Sequence, residues 1–340
     1  MKVLMIGLGG IGQRHLRNLR TQRGNELEVI AYRVRRQSDV LTDKLQIEPG
    51  SSLEEKYGVT VFNDLNAALA EKPDVAFICN PSSLHLPVAL AAAEAGCHLF
   101  IEKPVSHNLD DLDKLIECVE RKKLVGLVAY QMRFNPCLKR VQALLTQNSI
   151  GPVLAVRAEV GEYLPGWHLY EDYRQMYASR RELGGGVILS QIHEMDYLYG
   201  LFGLPQTIFA MGGHLSRLEI DVEDVASILM DCGGVPVHLH QDYIQRPPSR
   251  TLQIIGDQGK IIADFRALTV EYFDGEGASR GRDSYEGFDR NQMFMEELSH
   301  FFACIEGKET PIVSLRDGAQ SLRMALAAKE SLETGKVIKF

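Results

Sequence analysis

Met1-Lys-Val-Leu-Met-Ile-Gly7-Leu-Gly9-Gly10-Ile11-Gly12-Gln-Arg-His15 opens the chain. A short apolar run leads directly into Gly-x-Gly-x-x-Gly, and helix-compatible residues follow. That order carries more information than the glycines alone. It predicts a buried parallel strand, a tight turn at Gly7, backbone open to a pyrophosphate at Gly9, and close helix–sheet packing at Gly12. The helix start at Gly10 and Ile11 offers unpaired N–H groups and a partial positive charge to phosphates. The competing reading of an isolated motif is a glycine turn without a ligand. The preceding strand, and Leu16 and Leu19 on the following helix, favour the nucleotide. A secretory leader is not expected, because glycines interrupt the apolar run, no small-x-small cleavage site follows, and Arg14 and His15 come next.

With 340 residues the chain is long enough for two domains. Its 45% apolar and 24% charged content is that of an ordinary globular protein, and no apolar stretch is long enough to span a bilayer. A net charge of −8 argues against a general nucleic-acid-binding role. The six cysteines are scattered without a Cys-x-x-Cys pair. That pattern predicts neither a metal site nor a disulfide framework and fits a reducing cytoplasm.

The first third alternates strands and helices. Residues 3–6, 28–32, 60–62, 74–79, 98–101 and 124–130 read as strands. Residues 10–20, 53–57, 65–70, 86–95 and 109–122 read as the helices between them. This rhythm predicts an α/β fold with a doubly wound parallel sheet of the Rossmann type, ligand at the carboxyl ends of the strands. The pattern then changes. Residues 132–146 read as a helix, 153–163 as a strand, and 165–177 as an aromatic, charged loop. Gly184-Gly-Gly186 opens an apolar helix expected to run to about 202, and several strands follow between 208 and 273. Residues 275–287, rich in Gly, Ser and charge, are the expected mobile loop, and helices at 293–306 and 315–333 close the chain. The expected division is residues 1–125, a dinucleotide-binding domain, and 126–340, an α+β substrate and oligomerisation domain with a large, mostly antiparallel open sheet.

Two further motifs fall at carboxyl ends of predicted strands. Asn80-Pro81-Ser-Ser-Leu-His85 follows the apolar strand, and Glu102-Lys103-Pro104 follows the next. Read without a partner, the first is a strand-to-helix loop and the second a surface Glu–Lys pair at a turn. A lysine there also reaches cofactor and substrate, and burial would lower its pKa enough for it to share a hydroxyl proton. Glu102 would position or tune it.

Together with Ala95-Gly96-Cys-His98, Tyr130-Gln-Met-Arg133-Phe-Asn-Pro136, Gly184-Gly-Gly186…His193 and Thr334-Gly335-Lys336, these motifs resemble the Gfo/Idh/MocA oxidoreductase family over nearly the whole chain. The resemblance implies hydride transfer between NAD(P) and a hydroxyl-bearing carbon of a sugar, cyclitol or sugar derivative. It also implies a homodimer or homotetramer formed through the C-terminal sheet, and catalytic roles for Lys103 and His193. The chain departs from the family where an Asp often precedes the histidine by four residues. Position 189 is Leu, with Ser190 and Gln191 beside it and Asp196 one turn beyond His193. That loss leaves open a catalytically weak NAD(P)-binding sensor or assembly protein.

Expected cofactor contacts are Gly7, Gly9, Gly10, Ile11, Gly12, Arg33, Asn80, Pro81, His85, Glu102 and Lys103. The second strand ends in Arg33-Val-Arg35-Arg36 with no acidic residue for a ribose 2′-hydroxyl, which favours NADP over NAD, Arg33 first. Arg133, Tyr163, Trp167, His168 and Asp196 are the candidate substrate contacts. The aromatic loop around the single tryptophan resembles that of family members from surface-polysaccharide sugar pathways. No metal is expected.

Overall fold

The computed structural model describes residues 1–24, 26–34, 39–43, 45–50 and 52–340. Among the described residues, six strands form an all-parallel sheet. Their spatial order is Thr60–Phe62, Glu28–Tyr32, Lys2–Ile6, Val75–Ile78, His98–Glu102 and Gly126–Ala129. The winding reverses between Lys2–Ile6 and Val75–Ile78. The glycine turn and the Asn80 loop therefore flank one crevice at the carboxyl edge, where doubly wound sheets bind ligands.

The interiors of the strands are apolar because both faces of the sheet are covered. Val3, Met5, Phe77 and Phe100 pack beneath Leu16 and Leu19 of the helix Gly10–Arg23 and beneath Leu298, Phe301 and Phe302 of the helix Arg290–Ile305. Phe77 stacks on Phe100 at 4.7 Å, and Phe301 meets Phe100 edge-on at 5.3 Å. A helix from the last fifth of the chain thus completes a layer of the first sheet. Strand Gly126–Ala129 also belongs to that sheet, one element past the boundary expected at residue 125.

The second sheet has nine strands among the described residues, from Ser279–Ser284 at one edge to Ile338–Lys339 at the other. Only Val153–Gly161 and Val235–Asp242 pair in parallel. Alternation sets the faces. Val156, Ala158, Ile228, Val237, Leu239, Leu252 and Ile254 point into the core, covered by the helices Pro136–Thr146, His193–Phe202 and Leu315–Thr334. On the opposite face Phe209, Leu229, His238, Arg157 and Gln253 stand in one row across the sheet.

Three expectations change. The helix expected at 132–146 is a 3-10 turn, Gln131–Phe134, followed by Pro136–Thr146. Asn135, extended as residues before proline are, caps the helix by accepting from the Cys137 N–H at 2.9 Å. The helix expected from Gly186 to about 202 is broken into Val187–Ser190 and His193–Phe202. The expected mobile loop contains an edge strand, Ser279–Ser284, paired with Thr269–Asp274 through a turn at Gly277. Its polar, charged sequence is that of a guarded sheet edge, and Arg140 and Glu271 hold Asp283 and Ser279.

Candidate active site

The glycine turn is built as the motif requires. Gly7 has φ +93°, and a Cβ on Gly12 would lie 2.2 Å from the Gly7 carbonyl oxygen, so strand and helix touch there. A Cβ on Gly9 meets nothing within 4 Å, so its open face has room for a phosphate. Ile11 is partly buried against the first sheet's core. Across the crevice, Asn80 donates its amide to the Leu84 carbonyl at 3.1 Å, while its Oδ1 is buried without a partner. Pro81 precedes the 3-10 turn Ser82–Leu84. His85 sits between two carbonyls, Pro104 at 2.9 Å and Asn80 at 2.8 Å, and ties the second and third motifs together. The Lys103–Pro104 peptide is cis.

Glu102 does not reach the Lys103 ammonium. Its Oε1 bonds to His15 Nε2 at 2.7 Å, and its Oε2 accepts the Lys103 backbone N–H at 3.2 Å. It therefore holds the lysine's backbone and links it to the helix that follows the glycine turn. The Lys103 ammonium crosses to the second half of the molecule and donates to the Ser190 carbonyl at 2.9 Å. That carbonyl is available because the helix breaks immediately after Ser190.

The same break puts His193 in the first turn of a new helix, nearly fully buried. Its Nε2 bonds to the Gln131 side-chain amide at 3.0 Å, and its Nδ1 is buried without a partner. Burial pushes its pKa well below the usual histidine value, and the charges of Lys103, Arg250 and Arg290 push it further. The imidazole is therefore neutral at physiological pH. Ser190 Oγ and Gln191 Oε1, next to the position of the absent carboxylate, are also buried and unpartnered. A buried polar atom without a partner, such as His193 Nδ1, is what a polar ligand would satisfy.

Asp196 does not orient His193. It is fully buried in a two-point ion pair with Arg133, at 2.6 Å to Nε and 3.1 Å to Nη2. Both residues were expected at the substrate, yet each satisfies the other, and breaking such a pair costs about 3–5 kcal/mol. Arg250 and buried Glu194 form a second pair, 2.7 Å apart, directly beside His193. Gly185 and Gly186 serve close packing. Cβ atoms at Gly185 and Gly186 would lie 2.4 Å from the Tyr177 carbonyl and 2.2 Å from the Glu223 carboxylate.

The aromatic loop reaches the crevice at Tyr170, whose hydroxyl stands over Gly10. Trp167 packs edge-on against Tyr243 at 5.4 Å, its indole Nε1 buried without a partner. Tyr163 lies under the Arg246 guanidinium, 4.1 Å from the ring centre. His168 bonds to Glu171 at 2.8 Å. Arg33 follows its strand as expected but pairs with Glu54 on the short helix Leu53–Tyr57. Arg35 and Arg36 lie outside the described residues. Gln131 was not singled out from sequence, although it sits two residues past the strand end and polar side chains there face the crevice.

Residues 1–130 match the Gfo/Idh/MocA family described as an oxidoreductase family with an NAD-binding Rossmann fold, and residues 138–262 match its C-terminal domain. The chain belongs to the Gfo/Idh/MocA oxidoreductase family and is an NAD(P)-dependent oxidoreductase. A myo-inositol 2-dehydrogenase from Thermotoga maritima is 29% identical, with 100% of this chain and 98% of the relative covered. A D-xylose 1-dehydrogenase (NADP(+)) from Haloferax volcanii is 22% identical, with 98% of each chain covered. A solved structure of a probable dehydrogenase from Thermotoga maritima superposes with a TM-score of 0.77 at 26% identity, covering 100% of this chain and 99% of the other. No helix among the described residues is long and apolar enough to cross a membrane.

Proposed function

We propose that the crevice catalyses reversible oxidation of a hydroxyl-bearing carbon in a sugar, cyclitol or sugar derivative. The observation that carries this reading is the meeting of Lys103 and His193. The ammonium bonds to Ser190, three residues before the imidazole, and its charge helps hold that imidazole neutral. Gly7, Gly9, Gly10, Ile11 and Gly12 would hold the cofactor's diphosphate, with Asn80 and Pro81 on the facing wall. The bound nicotinamide would supply the hydride acceptor in oxidation and the donor in reduction. Lys103 holds the reacting oxygen and stabilises its developing charge. His193 takes the hydroxyl proton at Nδ1, or returns it in the reducing direction, which requires the tautomer with hydrogen on Nε2 and the Gln131 carboxamide turned to offer that hydrogen its oxygen. Gln131 fixes the ring through Nε2, where the family's usual carboxylate is missing.

Inositol and xylose dehydrogenases among the relatives support the substrate class. The aromatic loop supports sugars, and sugars of surface-polysaccharide synthesis are the first to assay. Single-turnover reduction of NAD(P) with a sugar and cyclitol panel is the test. His193→Ala or Lys103→Ala should slow hydride transfer by about 10²–10⁴-fold, with NADH binding left intact in His193→Ala. Because His193 is depressed, the acid limb of kcat/KM should lie below pH 6.5 and disappear in His193→Ala. Turnover unaltered in either variant would remove these residues from the chemistry.

Arg33 favours NADP, since a guanidinium suits a 2′-phosphate. Its pairing with Glu54 favours NAD instead, because a phosphate has to compete with that carboxylate. Titration of NADH and NADPH into the native protein and Arg33→Ala decides between them. The outer face of the nine-stranded sheet is the surface we assign to self-association as a dimer or tetramer.

A further inference from the structure

We propose that Tyr170 completes the dinucleotide site from the second half of the chain, its hydroxyl donating to a diphosphate oxygen of the cofactor. This rests on the glycine turn being the diphosphate cradle. A Cβ built on Gly10 would lie 2.8 Å from Tyr170 Oη, whereas one on Gly9 meets nothing within 4 Å. The phenol tip therefore sits over the start of the helix Gly10–Arg23, beside the open face of Gly9. A side chain at position 10 would occupy that place, and glycine leaves it to the tyrosine.

The segment that carries Tyr170 is anchored at both ends. Leu164 N–H donates to the Tyr243 carbonyl at 3.0 Å, and Trp167 packs on the Tyr243 ring. Beyond the crossing, the Tyr173 hydroxyl accepts the Glu219 N–H at 3.2 Å. Between these anchors Leu169 faces solvent, and Tyr170 turns inward. Its ring stacks on His168 at 5.2 Å with planes 20° apart, and His168 is itself held by Glu171 at 2.8 Å. Little side-chain freedom then remains to be lost when a ligand arrives. Tyr170 Oη lies 3.5 Å from His168 Nδ1, but that nitrogen gives its hydrogen to Glu171 and has no lone pair for the phenol, so a phosphate oxygen is the better acceptor. Burial, the Glu171 charge and a side-chain hydrogen bond with Glu171 push the phenol's pKa up, so the hydroxyl keeps its proton at physiological pH and a diphosphate oxygen takes that hydrogen over from the carboxylate.

The test is calorimetric titration of NADH and of ADP-ribose, which has the diphosphate but no nicotinamide. Tyr170→Phe should weaken both by about tenfold, the worth of one hydrogen bond to a charged acceptor. The unliganded melting curve should not change. Gly10→Ala, which displaces the phenol, should weaken both ligands too, and the double variant should lose less than the sum of the two. Unchanged ADP-ribose affinity in Tyr170→Phe, or strict additivity in the double variant, overturns the proposal. Failure of the native protein to bind either ligand would instead remove the glycine turn as the cradle.

Discussion

Gly9 and Gly12 belong to one motif, yet a methyl group would meet opposite surroundings at the two positions. At Gly12 it lands 2.2 Å from backbone oxygen, which cannot move aside. Gly12→Ala should therefore destabilise the unliganded protein by about 2 kcal/mol or more, read as a lower urea midpoint. At Gly9 it enters empty space. Gly9→Ala should leave the urea midpoint unchanged and weaken NADH by at least about tenfold, because the phosphate loses its close approach. Equal effects of the two substitutions on stability would refute the division of roles. At this scale the sequence brought out Lys103 and His193 through their motifs, and the structure brings the Lys103 ammonium to the Ser190 carbonyl, three residues before His193. The pairing of Arg133 with Asp196 was not legible, because their exposure and mutual distance depend on two segments meeting. Gln131, His15 and Tyr170 act through partners 62, 87 and about 160 positions away, and no local pattern marks that.

Elements were predicted well where periodicity or a cap decides them. The strands of the first sheet were read from their apolar runs, and Leu315–Thr334 begins at a Ser314/Asp317 capping box. The helix break before His193 was invisible, because residues 187–199 contain neither proline nor glycine to mark it and the carbonyl that leaves the helix is held by a distant lysine. The helix Arg290–Ile305 carries another feature hidden from its sequence. Glu297 is almost fully buried, its Oε2 has no partner, and burial, with Glu102 and Asp196 adding to it, pushes its pKa well above the usual carboxylate value. A carboxyl raised in the folded state holds its proton there while the unfolded chain releases it above about pH 4.3. Stability from this group is thus complete below that pH and is lost as pH rises through the folded value. Glu297→Gln keeps the shape and removes the titration. Its stability relative to the native protein should rise from pH 5 to pH 8 in urea melts, whereas a pH-independent difference would count against a neutral Glu297.

For the whole molecule, the second sheet is covered on one face only. Leu229 is 52% exposed and Met211 65% exposed among the polar side chains of the other. We expect small-angle scattering to report a dimer or tetramer, and Leu229→Glu to shift it toward the monomer without lowering NADH affinity. A native protein that scatters as a monomer at micromolar concentration would remove this surface from assembly. The two-sheet architecture was readable from the change of rhythm after residue 125. The order of nine strands was not, because antiparallel neighbours are chosen by register and turn geometry spread over most of the chain.

Leu298, Phe301 and Phe302 lie against Phe77 and Phe100 of the first sheet. During synthesis the nucleotide half emerges first, but its aromatic face gains this cover only after residue 302 has been made. At about 5–20 residues per second the ribosome takes on the order of ten to thirty seconds to travel there from residue 130. Through that interval the nascent sheet presents bare phenylalanines, and a chain halted between the two points is an aggregation hazard despite containing every strand of its first sheet. Chaperone demand should therefore depend on where translation pauses.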